Sequence, residues 1–262
     1  MPGKVIFYDL VPRKGSKLFY SPNTMKTRLS LLHKGVDFET VPVTYTDLRT
    51  TLKEKTGFDR VFSPLLELPD GTFLMDSWKI AEWLDATYPS QRSLFLPSQA
   101  SLPIDHDSAA YKLGKTYAWM FTAGFGDSDS QWSTFFELCA EPLRKTMDEA
   151  TAEYFASDAK NGPGAWASIM SKDHDTLVEH AKASILPLGS TLARSKFLAG
   201  DEPGFVDYVA YGRYIMMLSV VPDLARDVWR NSNVANVANW IDELERVHAD
   251  GLREVLENMP RA

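Results

Sequence analysis

The sequence predicts an α/β unit that is followed by an all-helical region. Residues 1–90 alternate short β-branched or aromatic runs with helical patterns, which is typical of a small α/β unit. Residues 91–104 contain two prolines and three serines and show no sustained periodicity. Residues 105–262 show only long helical patterns. We therefore expect a domain at residues 1–90, a linker at 91–104 and a helical domain at 105–262.

The α/β unit is expected to contain four strands and three helices. The strands are predicted at residues 5–8, 38–43, 65–68 and 72–75, and the helices begin at residues 21, 47 and 77. The pair Asp70-Gly71 tolerates the positive φ of a tight turn, which predicts that the last two strands form an antiparallel hairpin. The helix at 47–56 is polar and is expected to be exposed, and Pro89 ends the third helix.

The rest of the chain is expected to be helical throughout. Long helical patterns lie at residues 111–125, 135–155, 174–192, 205–218 and 234–255. The apolar and polar alternation that is typical of a strand does not occur in this part of the sequence.

The composition is that of an average globular protein. The 262 residues are 44% hydrophobic and 24% charged, and 28 basic against 35 acidic residues give a net charge of −7. This negative charge disfavours nucleic acids and anionic membrane surfaces as partners. The single cysteine cannot form an internal disulfide, and the first residues lack the long apolar run of a signal peptide. We therefore expect a cytoplasmic protein.

Metal, nucleotide and cysteine chemistry have little support in the sequence. The five histidines, at positions 33, 106, 174, 180 and 248, show no spacing suited to a metal, so no metal is expected. Neither the G-x-G-x-x-G pattern nor the P-loop pattern is present. Cys139 lies close to Phe135, Phe136 and Leu138, which fits a buried thiol better than a nucleophile.

The start of the first helix is the first candidate site. Ser21 is the predicted N-cap residue and Pro22 the first helical residue, where a missing N–H has no cost. The unpaired N–H groups and the positive end of the helix dipole favour an anion such as a thiolate, and the serine hydroxyl adds a donor. The alternative is that Ser21 only caps the helix.

Two more segments of the α/β unit are candidates for binding. Asp76 and Ser77 open the third helix, with Ser77 as the predicted cap, and their side chains could hold a ligand's ammonium and carboxylate together. An ordinary N-cap is again the alternative. Ser63 and Pro64 stand before the third strand, where a cis bond would turn the backbone of Ser63 outward and offer its N–H and C=O.

Taken together, these residues resemble the glutathione transferase family. The resemblance rests on Ser-Pro-Asn-Thr-Met-Lys-Thr-Arg at residues 21–28, Ser-Pro-Leu at 63–65 and Asp-Ser-Trp-Lys-Ile-Ala-Glu-Trp-Leu-Asp at 76–85. Residues 21–28 are most similar to the etherase-related fungal class, which is itself similar to bacterial lignin β-etherases. The resemblance implies a thioredoxin-like N-terminal domain, an all-α C-terminal domain and a homodimer.

The resemblance also implies that glutathione is the co-substrate, and it gives roles to the candidate residues. Ser21 would donate a hydrogen bond to the glutathione sulfur, with Tyr8 on the first strand as the alternative. The backbone of Ser63, before a cis Pro64, would pair with the cysteinyl unit. The other implied glutathione-binding residues are Asn23, Asp76 and Ser77, the last two at the γ-glutamyl end. Lowering the thiol pKa from about 8.5–9 populates the nucleophilic thiolate.

One segment departs from the family's pattern. The family's Ser/Thr-x-x-Asp cap of the helical domain stands here as Gly204-Phe205-Val206-Asp207, which keeps the aspartate and loses the hydroxyl. Asp207 is interpreted as a structural residue that caps a buried helix.

The aromatic residues early in the helical region favour a small hydrophobic, aromatic second substrate. The expected substrate-pocket residues are Tyr20, Trp119, Phe121, Phe125 and Trp132. For the four of them in the helical region, filling the core of a helix bundle is the alternative. Two functions stay open. One is a transferase that directs glutathione thiolate at aromatic electrophiles, including β-aryl ethers of the lignin type. The other is a non-catalytic carrier (ligandin) of hydrophobic aromatic compounds or plant polyphenols.

Overall fold

The N-terminal part of the protein is a four-stranded mixed sheet with helices on both faces. The computed structural model describes residues 4–124 and 133–260. Its first elements are β1 (Val5–Leu10), α1 (Pro22–His33), β2 (Phe38–Val43), α2 (Tyr45–Arg49), α3 (Thr51–Thr56), β3 (Leu65–Glu67), β4 (Phe73–Met75) and α4 (Ser77–Thr87). The strand order is β2-β1-β3-β4, with β1 parallel to β2 and antiparallel to β3. This is the expected thioredoxin-like arrangement.

The alternation of side chains along β1 divides the core between the two faces of the sheet. Val5 and Phe7 join the large core cluster, which contains the buried side chains of α1 and α4. Tyr8 and Leu10 join a smaller cluster, which contains Leu48 and Leu52 from α2 and α3. The predicted hairpin is confirmed: β3 and β4 pair antiparallel, and Gly71 between them has φ +83°.

The region predicted as one exposed helix at 47–56 consists instead of two short helices, α2 and α3. They are separated at Thr50, whose backbone leaves the helical conformation (φ −116°, ψ −95°). Two consecutive β-branched residues, Thr50 and Thr51, have low helix propensity, which explains the break. Leu48 and Leu52 are buried against the sheet. The polar pattern predicted an exposed segment, and this prediction is wrong for its inner side.

Ten further helices lie in the remainder of the described chain. They are α5 (Ala109–Gly124), α6 (Ser133–Arg144), α7 (Glu149–Ala156), α8 (Asp158–Asn161), α9 (Ala165–Met170), α10 (His174–Leu192), α11 (Phe205–Val220), α12 (Pro222–Trp229), α13 (Ala235–Val247) and α14 (Ala249–Glu257). The expected all-helical region is therefore confirmed. Residues 91–104 contain neither helix nor strand. The division into two domains at this segment stays a prediction.

Two of the long predicted helices are broken in the structure. The segment at 135–155 is divided between α6 and α7, because the carboxylate of Asp148 caps a new helix by accepting a hydrogen bond from the Thr151 N–H at 2.9 Å. The segment at 234–255 is divided at His248, between α13 and α14. Residues 222–229 form a helix, α12, that the sequence patterns did not predict.

Helix α11 is buried along nearly its whole length and packs against α1. Gly212 makes this close approach possible, because a Cβ atom there would lie 2.6 Å from the carbonyl oxygen of Pro22. The contact fixes the first turn of α1 against the helical region. The position of Ser21 therefore depends on both parts of the chain.

Asp207 in the first turn of α11 holds the preceding loop. Its buried carboxylate accepts hydrogen bonds from the backbone N–H groups of Leu198 (2.7 Å), Ala199 (3.1 Å) and Gly204 (2.9 Å). It also accepts one from the indole Nε1 of Trp240 at 2.8 Å. Burial raises the pKa of Asp207 to about 6, although the four donors oppose this effect. This geometry agrees with the structural role expected from the sequence.

A buried chain of hydrogen bonds joins α1 to the helical region. Nδ1 of His33 lies 2.8 Å from the Tyr208 hydroxyl, which lies 3.2 Å from Nε2 of His248. Nε2 of His33 lies 3.1 Å from the backbone carbonyl of Arg92. Because this carbonyl only accepts, His33 donates through Nε2 and accepts from Tyr208 through Nδ1. Burial and the charge of Arg92 lower the pKa of His248 to about 4.

Candidate functional site

A cleft lies between the first turns of α1 and α4 and the exposed face of α5. Its volume is about 580 Å³. It is lined by Asn23 and Lys26 from α1, Phe62, Ser63 and Pro64 from the segment before β3, Met75, Asp76, Ser77, Trp78 and Lys79 around the start of α4, and Trp119 and Thr122 from α5. The structure thus brings all five residues expected to bind glutathione into one cleft: Asn23, Ser63, Pro64, Asp76 and Ser77.

Ser21 is the N-cap residue of α1, as predicted, but it does not itself line the cleft. Its backbone is extended, and its Oγ accepts a hydrogen bond from the Thr24 N–H at 3.4 Å. The side chain is buried, with 6% of the residue exposed. Within residues 4–124 and 133–260, the hydroxyl hydrogen of Ser21 is donated to no acceptor. Ser21 lies two residues before Asn23, which does line the cleft.

The hydroxyl of Tyr8, the alternative catalytic residue, is already engaged. It donates to Oε2 of Glu67 at 2.6 Å and accepts from Nζ of Lys55 at 2.7 Å. Burial and the Glu67 carboxylate raise the pKa of Tyr8. Tyr8 lines a separate cavity of about 460 Å³ on the α2 and α3 face of the sheet. Its proton is therefore committed to a carboxylate outside the cleft.

Ser63 and Pro64 lie in the wall of the cleft, and their peptide bond is cis. The carbonyl of Pro64 accepts a hydrogen bond from the Asp76 N–H at 3.3 Å, which connects this segment to the start of α4. In the described part of the chain, the backbone N–H and C=O of Ser63 have no partner, and its buried Oγ is also without one. Ser63 thus offers unused donors and acceptors to a ligand.

The start of α4 differs from the prediction in one respect: Asp76, not Ser77, is the N-cap residue. Asp76 has φ +84°, and its Oδ1 accepts hydrogen bonds from the N–H groups of Trp78 (2.8 Å) and Lys79 (3.3 Å). Asp and Ser are comparably good N-cap residues, so local chemistry does not decide between them. The strand β4 ends at Met75, and Asp76 directly after it caps the helix. Ser77 is the first residue of the helix, and its side chain lines the cleft.

Lys26 is a cleft residue that sequence reasoning missed. It lies one turn after Asn23 on α1 and is 7% exposed. Burial and the charge of Arg213 lower the pKa of Lys26 to about 7, against the opposing effect of Asp76. The available signal was the spacing, since residues 23 and 26 share one helix face and that face turns out to line the cleft. A lysine usually extends into solvent, so nothing in the local sequence pattern singles out Lys26.

Among the expected substrate-pocket residues, the structure brings Trp119 into the cleft. Its indole is 54% exposed and packs edge-to-face on Trp78, with 5.0 Å between the ring centroids. The edge of the cleft at Trp119 is therefore apolar and open to solvent.

The other predicted pocket residues are placed differently. Tyr20 is buried in the small core cluster and does not line the cleft, because its ring packs on the α2 side of the sheet. Phe121 is half-buried and packs against the large core, as the alternative interpretation expected. Phe125 and Trp132 lie outside the described residues.

Two other features bear on the chemistry of the chain. Cys139 is fully buried and burial raises its pKa, which matches the expected unreactive thiol. In the described ranges, no group of three or more His, Cys, Asp or Glu side chains is arranged to hold a metal ion. None of the helices in these ranges is long and apolar enough to cross a membrane.

Comparison with known proteins gives a consistent result. Residues 18–92 match the family of the glutathione S-transferase N-terminal domain. Two glutathione S-transferases of Ceriporiopsis subvermispora, each crystallised in complex with glutathione, are similar to this chain. One has 20% identity, a TM-score of 0.66 and coverage of 95% of this chain and 100% of that one. The other has 21% identity, a TM-score of 0.72 and coverage of 94% and 98%.

The β-etherase LigF from Sphingobium sp. strain SYK-6 is also similar in structure. It has 17% identity and a TM-score of 0.62, and the match covers 97% of this chain and 99% of that one. At these identities the likeness establishes the fold.

Proposed function

We propose that this chain is a glutathione transferase that binds glutathione in the α1–α4 cleft and activates its thiol, because residues 18–92 match the glutathione S-transferase N-terminal domain and the whole chain has the glutathione transferase architecture. The observation that carries the proposal is the meeting of two helix N-termini at one cleft, with the unpartnered backbone of Ser63 between them. Two helix starts supply N–H donors and positive dipole ends, which suit a ligand that carries carboxylates and a thiolate.

Each part of glutathione has a matching group in the cleft. The cysteinyl unit pairs with the N–H and C=O of Ser63. The γ-glutamyl end lies at the start of α4, where Oδ2 of Asp76 takes its ammonium and the hydroxyl of Ser77 donates to its carboxylate. Asn23 is exposed at the first turn of α1 and lies beside the ligand. In this orientation the sulfur points toward the N-terminus of α1.

Ser21 is the proposed catalytic residue because its hydroxyl hydrogen can be donated to the sulfur. That hydrogen bond and the positive end of α1 favour the thiolate over the thiol. The thiolate then attacks an electrophilic carbon of the second substrate. A carbon–sulfur bond forms, and the leaving group departs with the electron pair of the bond that breaks. Tyr8 is not used, since its proton is held by Glu67.

The second substrate is an apolar aromatic compound that lies against Trp119. This side chain is 54% exposed and forms an apolar edge of the cleft. The finer proposal is β-aryl ether cleavage, in which the thiolate attacks the carbon that bears the aryl ether oxygen and a phenolate leaves. The similarity in fold to a β-etherase supports it.

The experiment measures glutathione-dependent turnover in wild type, Ser21→Ala and Tyr8→Phe, with a generic aromatic electrophile and with a β-aryl ether ketone that releases a fluorescent phenol. Ser21→Ala should lower kcat by about 10- to 1,000-fold and leave the Kd of glutathione nearly unchanged. Tyr8→Phe should stay near the wild-type rate. A fully active Ser21→Ala together with an inactive Tyr8→Phe would reverse the assignment.

The same experiment separates the transferase from the carrier. Release of phenol that requires both glutathione and Ser21 supports ether cleavage. Turnover of the generic electrophile alone supports a transferase with a different substrate. Tight binding of polyphenols without turnover of either substrate would favour the carrier.

We propose a homodimer, as the resemblance implies, and a cytoplasmic location, which the single cysteine favours. Light scattering should give twice the chain mass of 29.5 kDa, and a mass near that of one chain would contradict this part of the proposal.

A further inference from the structure

Lys26 is a buried cation that has no partner in the described part of the chain. Its side chain lines the cleft and 93% of the residue is removed from solvent, yet it makes neither a hydrogen bond nor an ion pair within residues 4–124 and 133–260. Most of the Lys26 side chain is buried, whereas its Nζ stays accessible. A charged ammonium at the wall of a cleft can pair with an anionic group of a ligand.

The charges around Lys26 come from each element that packs against α1. Helix α11 contributes Arg213, and the start of α4 contributes Asp76 and Lys79. One of the two carboxylate oxygens of Asp76 already accepts the N–H groups at the start of α4. Lys26, Lys79 and the partly used carboxylate of Asp76 therefore line the same cleft, which suits a ligand that has a negative group beside a positive one.

The polar groups beside Lys26 narrow the chemistry of that anion. The hydroxyl of Ser77 and the ammonium of Lys26 both face the cleft and can donate to the two oxygens of a carboxylate. Oδ2 of Asp76 can accept a hydrogen bond from an ammonium group on the carbon that bears this carboxylate. The group that satisfies all three side chains is an α-amino carboxylate, and glutathione carries this group at its γ-glutamyl end.

We propose that Lys26 pairs with the α-carboxylate of the γ-glutamyl unit and selects γ-glutamyl thiols over other thiols. The inference rests on the proposed glutathione-binding function and adds to it a residue of α1 that acts in recognition. Lys26 and the start of α4 then hold the ligand from two elements. Ser21, the N-cap residue of α1, then acts on the thiol end of the ligand.

The pairing has a consequence for protons that can be measured. Without ligand, the pKa of Lys26 is about 7. A bound carboxylate favours the charged form and raises this pKa, so ligand binding takes up a proton. Binding should therefore take up about half a proton at pH 7 and about 0.9 at pH 8. The affinity should fall as the pH rises above 7.

The test is calorimetric titration with S-methylglutathione, which has no thiol to release a proton. Titrations at pH 7 and pH 8, each in two buffers with different ionisation enthalpies, give both the Kd and the number of protons taken up. Lys26→Met should weaken binding by about 10- to 100-fold at pH 7, as expected for the loss of a charged hydrogen bond, and should abolish the uptake.

Two more variants make the result specific. Lys26→Arg keeps its charge at every pH tested, so it should restore most of the affinity without proton uptake. Lys53→Met makes the same chemical change at an exposed position of α3 outside the cleft and should behave as wild type.

A second ligand distinguishes the two carboxylates of glutathione. S-Methylglutathione esterified at its glycine carboxylate keeps the γ-glutamyl end intact, so the penalty of Lys26→Met should be unchanged with this ligand. If the penalty disappears, Lys26 pairs with the glycine end and the inference is wrong.

The outcomes separate this inference from the proposed function. Wild type that binds S-methylglutathione while Lys26→Met binds it equally well, with the same proton uptake, contradicts the role of Lys26 only. Wild type that binds neither S-methylglutathione nor glutathione contradicts both.

Discussion

Replacing Asp207 by alanine should destabilise the protein strongly without affecting glutathione binding. The buried carboxylate accepts four hydrogen bonds, from three backbone N–H groups of the loop before α11 and from the indole of Trp240. Asp207→Ala leaves all four donors buried and unpaired. Asp207 does not line the α1–α4 cleft.

The magnitude follows from two opposing contributions. Each unpaired buried donor costs about 1–3 kcal/mol, so four give an upper range of about 4–12 kcal/mol. The substitution also removes a carboxylate whose pKa burial raises to about 6 from 3.8, and this relief is worth about 3 kcal/mol at neutral pH. We expect a net loss of about 3–5 kcal/mol, as is usual when one partner of a buried charged network is removed. A simple helix cap would cost only about 0.5–2 kcal/mol.

The assay is urea unfolding at pH 7, followed by circular dichroism, with glutathione affinity measured on the folded variants. Asp148→Ala is a matched control, since Asp148 caps α7 through one hydrogen bond to a backbone N–H. It should cost about 1 kcal/mol. If Asp207→Ala costs no more than Asp148→Ala, or if it weakens glutathione binding while the fold is intact, the structural role assigned to Asp207 is wrong.

Three further predictions concern binding and pH. Ser77→Ala should weaken glutathione binding by about 10-fold in calorimetry with little change in urea midpoint, because it removes a donor to a charged group; unchanged affinity would contradict the γ-glutamyl assignment. His248 has a pKa of about 4 in the fold and 6.5 when unfolded, so its contribution to stability is present above pH 6.5 and is lost, by about 3 kcal/mol, as the pH falls to 4. His248→Gln should reduce this acid-dependent loss in urea titrations from pH 7 to 4.5, and an unaltered pH profile would refute it. Lys26→Met should raise the free energy of unfolding at pH 7 by about 2–5 kcal/mol, because burial lowers the pKa of Lys26 to about 7 and its charge is therefore costly in the fold. In wild type this cost is relieved only as the pH rises from 7 toward 10.5. A lower free energy of unfolding in Lys26→Met would mean that Lys26 has a structural partner.

The sequence predicted the sheet, the hairpin and the start of α1 because local chemistry decides them. Asp70 and Gly71 fit only a tight turn, and Ser21 with Pro22 is a strong helix start. Helix ends inside the helical region were harder to predict. His248, at the break between α13 and α14, has its Nε2 3.2 Å from the Tyr208 hydroxyl of another helix, a contact that no local pattern contains.

The candidate site was predictable where its residues occur in short motifs. Asp76, Ser77, Ser63 and Asn23 all line the cleft. Lys26 was missed because its burial comes from the packing of α11 and α4 around α1, which depends on long-range contacts. The aromatic residues of α5 were predicted as a group, but only packing decides that Trp119 faces the cleft while Phe121 faces the core.

The pKa of the glutathione thiol in the complex is the measurement that tests the central claim most directly. It can be followed by the ultraviolet absorbance of the thiolate as the pH is varied, in wild type, Ser21→Ala and Tyr8→Phe. We expect the thiol pKa in wild type and in Tyr8→Phe to fall from about 8.5–9 into the neutral range, and the pKa in Ser21→Ala to stay higher. A bound thiol that keeps its pKa of about 8.5–9 in the wild-type complex, or one that loses its low pKa only in Tyr8→Phe, would contradict the account.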